Sequence, residues 1–228
     1  MEKLVYLLKK PAAQSATEFS QALLGDVVGQ LRDAGARQLT VNVADLNDEI
    51  QQRSPGRLIG PWQDVAAAIE LWHDCIDRRA PIEAALNGCS DRVDGYLVTE
   101  SIPQACERSW AEGERRPGVT QFGCNGKPAN VSDDEFYHNW QVVHSTQSFE
   151  LHPLRWSYVR NAVARRLTEG APDYRAIVSE HFKTLDDFVD DSRYFGSMEA
   201  IQEMMEHVPG FCDAENMFSV PMSEYYFA

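Results

Sequence analysis

The sequence contains none of the short motifs that mark the commonest metal and cofactor sites. It has no GxGxxG and no GxxxxGK[ST], so the usual glycine-rich cradles for nucleotide phosphates are missing. It has no HExxH, no HxH and no CxxC pair, and its five cysteines are scattered and odd in number. We therefore expect no disulfide framework, no metal and no cofactor, although ligands gathered from separated residues would escape a motif search.

Long apolar runs and an excess of positive charge are also missing. The apolar stretch near Met1 is too short for a secretion signal or a membrane span, so we expect a cytoplasmic protein. The formal net charge of -14 repels nucleic-acid phosphates and anionic membrane surfaces, and we expect neither as a partner. The hydrophobic fraction of 43% is ordinary for a globular protein, and 228 residues suffice for one large domain or two smaller ones.

What the chain does contain is one pattern of elements that occurs twice. In the first half, alternation and helical periodicity predict strands over 3–11, 37–44, 65–74 and 95–101, and helices over 15–34 and 81–87. In the second half they predict strands over 118–124, 154–161, 174–182 and 217–226, and helices from 132 and over 197–207. Both halves therefore follow the order β-α-β-β-α-β, which is the ferredoxin-like unit.

The spacing of matching dipeptides supports a tandem repeat. Glu18-Phe19 and Glu135-Phe136 lie 117 residues apart. The first pair follows Ser15 and Thr17, either of which can cap a helix, and the second follows Ser132 in a capping-box pattern. The stretch between the halves is rich in charged and small residues, most clearly from Glu112 to Gly118. We predict an N-terminal unit over 1–102, a linker over 103–117 and a C-terminal unit over 118–228.

A ferredoxin-like sheet has helices on one face only, and its other face must be covered. Two such sheets in one chain can cover each other and close into a barrel, so we predict an α+β protein with a pseudo-dimeric barrel. The stretch from Leu46 to Trp62 has little periodicity, which indicates a loop. It is either a surface insertion or a lid that covers a pocket.

One helical stripe combines aromatic rings with an imidazole. Phe136, Trp140 and His144 follow one another at intervals of four and so lie on one face of a helix. Such a stripe is ordinarily core, and a histidine in it can simply be buried and hydrogen-bonded. The first half has Leu23 and Val27 at the positions of Trp140 and His144.

Several runs together resemble EthD-domain proteins of the dimeric α+β barrel superfamily. These are the run from Leu4 to Pro11 followed by Glu18-Phe19, the stripe from Glu135 to His144, the strand Tyr158-Val159-Arg160-Asn161, and Glu70-Leu71-Trp72. The resemblance implies a fused pair of ferredoxin-like units with one working site, in the second half. It also implies cofactor-independent chemistry on a small aromatic or polyketide-like compound. Some barrel relatives bind haem, but nothing local in this sequence selects it.

Two histidines are the candidate acid and base. Imidazole titrates near neutrality, so His144 and His181 could accept and return a proton in an apolar pocket. His181 shares a strand face with Ile177 and Ser179; if that face lines the barrel interior, we expect it to meet His144 there. Aligning the third strands puts Trp72 opposite His181, whereas a slip of one residue would pair His73 with it.

The other candidates are aromatic or polar side chains that could hold a substrate. Tyr158 could donate to a substrate oxygen, and the proposed contact residues are Trp140, Tyr137, Trp156, Trp72, Phe136 and Asn161. Core packing is the competing explanation for the aromatic residues.

We therefore expect a cofactor-independent lyase of the dehydratase type. A cofactor-independent isomerase or oxygenase, or a non-catalytic protein that binds small molecules, are the alternatives. Whether the barrel pairs again as a homodimer stays open.

Overall fold

Eight antiparallel strands close into one barrel in the computed structural model, which describes residues 1–228. The strands are β1 (Glu2–Lys9), β2 (Arg37–Val43), β3 (Ala67–His73), β4 (Arg92–Gln104), β5 (Val119–Gly126), β6 (Arg155–Arg166), β7 (Tyr174–Phe182) and β8 (Met217–Phe227). Around the barrel they run β1-β3-β2-β8-β5-β7-β6-β4. The predicted α+β barrel is confirmed.

Each half of the chain supplies four neighbouring strands in the same order. The first half forms β4-β1-β3-β2 and the second forms β8-β5-β7-β6, and the two sheets join where β2 pairs with β8 and β4 pairs with β6. Because the edge strands of the two sheets pair with each other at both seams, no strand edge is left open. Both of these pairings are antiparallel. The common origin of the halves, and the domain limits at 102 and 118, stay predictions.

Short helices cover the outside of the barrel. They are α1 (Ala16–Ala22), α2 (Val28–Asp33), α3 (Asn47–Arg53), α4 (Ala80–Cys89), α5 (Asp133–His138), α6 (Ser145–Leu151), α7 (Leu185–Val189), α8 (Asp191–Tyr194) and α9 (Met198–His207). Ser15 and Ser132 each cap a helix through a complete capping box with Glu18 and Glu135. None of the helices has the length and apolar character that crossing a bilayer requires.

The first helical stretch of each half is interrupted at the same place. A π-helical segment, Leu23–Val27, separates α1 from α2, and another, Asn139–His144, separates α5 from α6. π-Helical turns often occur at functional sites, because the wider turn redirects the side chains that follow. The second segment ends on His144, whereas the first ends on Val27.

Strand alternation sorts the core into an interior and an outer layer. The interior of the barrel, its lumen, contains apolar side chains from both halves, such as Val5, Phe122, Ile177 and Met222. The side chains at the alternate positions face outward, under the helices. There Leu4 and its neighbours pack beneath the first-half helices and Ala176 packs beneath the second.

The predicted loop over 46–62 is wrong in its local structure. It contains α3 and 3-10 turns at Pro55–Arg57 and Trp62–Asp64, because Ile50 becomes completely buried against aromatic residues of the second half. Ile59 forms backbone hydrogen bonds with Ser219 of β8 in both directions. This insert from the first half is therefore fixed onto the second-half sheet.

Candidate functional site

A cavity of about 230 Å³ lies between the second-half sheet and the helices outside it. We call it the outer cavity. Its floor is formed by outward residues of β5, β7 and β8, and its walls come from the end of α6, from α9 and the turn after it, and from the insert. The lining residues include His144, His152, Glu180, Phe211, Met204, Met217, Tyr194 and Arg57. More than half of the lining is hydrophobic, with 11 of 20 residues. The outer cavity can thus hold a mainly apolar molecule and present a few titratable groups to it.

His144 enters the outer cavity at the end of the π-helical segment. Its ring stacks on Phe211, with ring centroids 4.4 Å apart, and its Nδ1 is buried without a hydrogen-bond partner. Burial lowers the pKa of His144 to about 4, with Glu180 opposing the shift and His152 and Arg155 adding to it. The imidazole is therefore neutral at physiological pH. Its Nδ1 has almost no accessible surface, so Nε2, which forms no hydrogen bond within the protein, is the nitrogen that can meet a molecule in the outer cavity.

Glu180 and His152 also line the outer cavity, and sequence reasoning did not select them. Burial alone would raise the pKa of Glu180, but the ion pair with buried Arg155 lowers it below its ordinary value. His152 Nδ1 lies 3.0 Å from the carbonyl oxygen of Tyr194, and burial lowers its pKa as well. The sequence did contain a sign of His152. The stripe of Phe136, Trp140 and His144 continues at the same interval of four through buried Ser148 to His152.

The insert closes one side of the outer cavity. Arg57 lies with its guanidinium 3.8 Å from the ring centroid of Tyr194, and its Nε donates to the carbonyl of Phe188 at 2.7 Å. Gly60 next to this segment has φ of +68°, and a Cβ there would lie 1.9 Å from the carbonyl oxygen of Met217. The first half thus contributes to a cavity of the second half, which agrees with the lid interpretation.

The predicted meeting of His144 and His181 is wrong. His181 does share a strand face with Ile177 and Ser179, and that face does line the lumen. The outer cavity with His144 lies on the opposite side of the sheet. His181 instead lines a second cavity, of about 100 Å³, inside the barrel. We call it the lumen cavity.

The register of the strands settles which residue corresponds to His181. Lys3 pairs with Trp72 in the first half, and Thr120 pairs with His181 in the second. Lys3 and Thr120 are separated by 117 residues, the same spacing as the two capping boxes. The alignment of Trp72 with His181 is therefore correct, and His73 faces outward, where its ring contacts the carbonyl oxygens of Cys75 and Ala34.

None of the predicted contact residues lines the outer cavity. Phe136 and Trp140 are buried core residues with ring centroids 5.8 Å apart, and Tyr137 packs on both of them. The hydroxyl of Tyr158 lies 3.5 Å from Ser145 Oγ beneath α6, and burial raises its pKa to about 12. The core explanation therefore holds for this aromatic group.

The remaining predicted residues belong to the inside or the end of the barrel. Asn161 is fully buried in the lumen, where its Nδ2 donates to Glu70 at 3.3 Å. Trp156 packs over His181 and over the guanidinium of Arg116. Neither of them, nor Trp72, lines the outer cavity.

The outer cavity does not fit a haem group. Its volume of about 230 Å³ lies below the range of about 300–1,000 Å³ that is usual for drug-sized ligands, and a haem macrocycle needs more room than such a ligand. Phe211 also covers one face of the His144 ring.

The fold is shared with several solved structures, while the sequence matches no family model and no curated protein. An anthrone oxidase-like protein superposes with a TM-score of 0.57 at 8% identity, with 99% of this chain and 92% of that one covered. A mutant of chlorite dismutase from Candidatus Nitrospira defluvii gives 0.54 at 10% identity, covering 97% and 91%. A protein from Lactobacillus acidophilus NCFM, provisionally assigned as a monooxygenase, gives 0.53 at 10% identity, covering 98% and 93%. At these identities the likeness concerns architecture alone, and this chain has a dimeric α+β barrel fold.

Proposed function

We propose that this protein is a cofactor-independent lyase that eliminates water from a small aromatic or polyketide-like compound in the outer cavity. The observation that carries the proposal is the imidazole of His144, which is neutral, half-buried and without a hydrogen bond in a mainly apolar cavity. A base in such surroundings can take a proton from a substrate with less competition from water than at the surface.

One imidazole can perform both proton transfers of such an elimination. His144 removes a proton from a carbon next to a substrate carbonyl, and the electrons of that C–H bond form the new C=C bond as the hydroxyl group on the neighbouring carbon leaves. The imidazolium then returns the same proton to the leaving oxygen, which departs as water. Glu180 is held ionised by Arg155 and faces the same cavity, so its charge favours the imidazolium intermediate.

This scheme revises two roles expected from the sequence. His181 lies across the sheet from His144 and takes no part in it. Tyr158 is not a lining residue, so it donates to no substrate oxygen. His152 is the second imidazole at the outer cavity, and its contact with the Tyr194 carbonyl fixes its ring.

The lining indicates the substrate class. Phe195, Phe211, Met204 and Met217 offer flat or adaptable apolar contacts, which suit an aromatic or partly unsaturated ring system. The small volume of the cavity favours one or two rings over a larger compound.

A cofactor-independent oxygenase is the second candidate. The one carboxyl group in the lining, Glu180, has a lowered pKa, so a substrate anion formed by His144 has no acid beside it other than the imidazolium itself. Such an anion could react with O2 instead of losing a hydroxyl group. The structural neighbour described as anthrone oxidase-like gives this alternative a further reason.

The reaction class is tested with a panel made of two sets of compounds. One- and two-ring aromatic β-hydroxyketones test the elimination of water, and phenols with the same ring systems test the reaction with O2. Product mass and oxygen consumption are recorded for the unaltered protein and for His144→Ala. The lyase proposal expects loss of one water without oxygen consumption, and loss of that activity in a folded His144→Ala protein. Oxygen consumption would favour the second candidate, and turnover that survives in folded His144→Ala would sink both.

A further inference from the structure

The lumen cavity is unusual because it is polar although it lies inside a barrel. Ten of its 11 lining residues are polar or charged: Lys3, Thr40, Glu70, Glu100, Arg116, Thr120, Ser157, Ser179, His181 and Glu224, with Val159 as the exception. Each of the eight strands contributes at least one of these residues, and Arg116 comes from the predicted linker. The proposed reaction in the outer cavity uses none of them.

Each basic side chain around the lumen cavity lies beside at least one carboxyl group. Lys3 Nζ is 2.8 Å from Glu70 Oε2 and also pairs with Glu100. Arg116 donates from Nη1 to both carboxylate oxygens of Glu224, at 3.0 and 3.1 Å. Strands β2 and β6 contribute Thr40, Ser157 and Val159, which carry no charge. Two cations therefore face three carboxyl groups, with His181 as the remaining titratable group.

A chain of three contacts links His181 to Glu224. His181 Nε2 lies 2.8 Å from the carbonyl oxygen of Pro117, and His181 Nδ1 lies 2.7 Å from Thr120 Oγ1. Thr120 Oγ1 in turn lies 2.9 Å from Glu224 Oε2. Each contact needs one hydrogen between its two heavy atoms.

The three contacts between Pro117, His181, Thr120 and Glu224 need one more hydrogen than a neutral imidazole and a threonine hydroxyl supply. A neutral imidazole brings one N–H hydrogen and Thr120 brings one hydroxyl hydrogen, so two hydrogens serve three contacts. The third hydrogen must be an added proton, either on the carboxyl group of Glu224 or on His181. With that proton included, the groups around the lumen cavity have a net charge of zero.

From this balance we propose that the lumen cavity is a second binding site, specific for a small uncharged molecule that forms hydrogen bonds, such as a primary amide or an alcohol. A charged ligand would give this partly buried cavity a net charge, which is unfavourable. The hydroxyl-bearing residues Thr40, Ser157 and Ser179 line the wall and supply donors and acceptors for such a molecule.

The direction of the pKa shifts indicates where the added proton resides. Burial and the nearby Arg116 lower the pKa of His181 to about 3, and burial raises the pKa of Glu224 above its ordinary value. These directions favour Glu224 over His181 as the place of the added proton, in which case Glu224 Oε2 donates to Thr120 and Thr120 donates to a neutral His181. Further orphan groups lie close by, since the Oδ1 atoms of Asn42 and Asn161 are buried without partners while both Nδ2 groups donate to Glu70.

The test uses three probes of nearly the same shape and different charge: acetamide, acetate and acetamidinium. Binding is followed through the ring nitrogens of His181 in protein labelled with ¹⁵N-histidine, assigned with a His181→Gln variant. We expect acetamide to bind on the order of tenfold or more tightly than either ion, and His181 to stay neutral with hydrogen on Nε2. Glu100→Gln should reverse the preference toward acetate, because it leaves one positive charge in excess.

The control for that reversal is Glu203→Gln, which removes a carboxylate on the exposed surface of α9 and should leave the preference for acetamide unchanged. Preference of the unaltered protein for acetate or acetamidinium would overturn the proposal, and so would a cavity that admits only water. The order of affinity of the three probes for the unaltered protein tests the proposal even if Glu100→Gln fails to fold. His144→Ala should leave that order of affinity unchanged, so this site and the proposed lyase activity can fail separately.

Discussion

Glu180 and His181 are neighbours in β7 and point to opposite sides of the barrel wall. Glu180 lines the outer cavity with His144, and His181 lines the lumen cavity with Thr120. Because strand side chains alternate, one short segment serves two separate chemical environments. The outer cavity is mainly apolar and holds a neutral base, whereas the lumen cavity is polar and charge-balanced.

The activity should stay level through the pH range in which an ordinary histidine titrates. The base must be neutral, and the pKa of His144 in the folded protein is about 4 rather than 6.5. The rate kcat/KM is therefore expected to be constant from pH 8 to about 6 and to fall only as the pH approaches about 4. A decline centred near 6.5 would contradict the assignment.

Stability must be followed in the same experiment. In the unfolded chain His144 takes up its proton near pH 6.5, whereas the folded protein resists protonation until about 4. The stability contributed by the neutral imidazole is thus complete above 6.5 and is lost as the pH falls from 6.5 toward 4. Circular dichroism at each pH separates loss of the base from loss of the fold.

Removing Arg155 should be far more damaging than removing a surface arginine. Its side chain is fully buried and pairs with Glu180, so Arg155→Met leaves a buried carboxylate unpaired, at a cost of about 3–5 kcal/mol of unfolding free energy. Arg155→Met combined with Glu180→Leu should recover most of the loss. Urea unfolding measures both.

The matched control for Arg155 is Arg175, which pairs with exposed Asp133 at 2.7 Å. Arg175→Met should lower the unfolding free energy by no more than about 1 kcal/mol. Equal effects of the two substitutions would mean that the buried pair has no special importance.

Two glycine-to-alanine substitutions should have opposite signs. Gly118 has φ of +106°, and a Cβ there would lie 2.0 Å from the carbonyl oxygen of Phe182, so Gly118→Ala should cost at least about 2 kcal/mol. Gly29 in α2 is exposed with open space around it, and Gly29→Ala should stabilise by about 0.5–1 kcal/mol. Thermal unfolding of both variants checks the prediction, and a tolerated Gly118→Ala would contradict the described turn.

The strand pattern and both capping boxes were predictable because they depend on local alternation and on local side-chain hydrogen bonds. The same alternation correctly put Ile177, Ser179 and His181 on one face. It could not tell on which side of the sheet an apolar cavity would form. A cavity arises where packed layers fail to fill space, and that depends on all the layers together.

Other features depended on contacts between distant parts of the chain. The π-helical turn before Ser145 and the packing of the insert on β8 leave no local signature, because tertiary contacts determine them. The place of Arg116 in the lumen cavity was hidden for the same reason, since it lies in the stretch predicted as a linker.

The most direct test of the central claim is chemical rescue of His144→Ala on whichever panel substrate turns over. We expect kcat/KM to fall by about 10²-fold or more, because general acid-base catalysis typically contributes that much. Added imidazole should restore part of the rate by filling the space vacated by the ring, while the exposed His138→Ala protein needs no rescue. A folded His144→Ala protein with full activity, or a lost activity that imidazole cannot restore at any concentration, would contradict the role of His144 as the base.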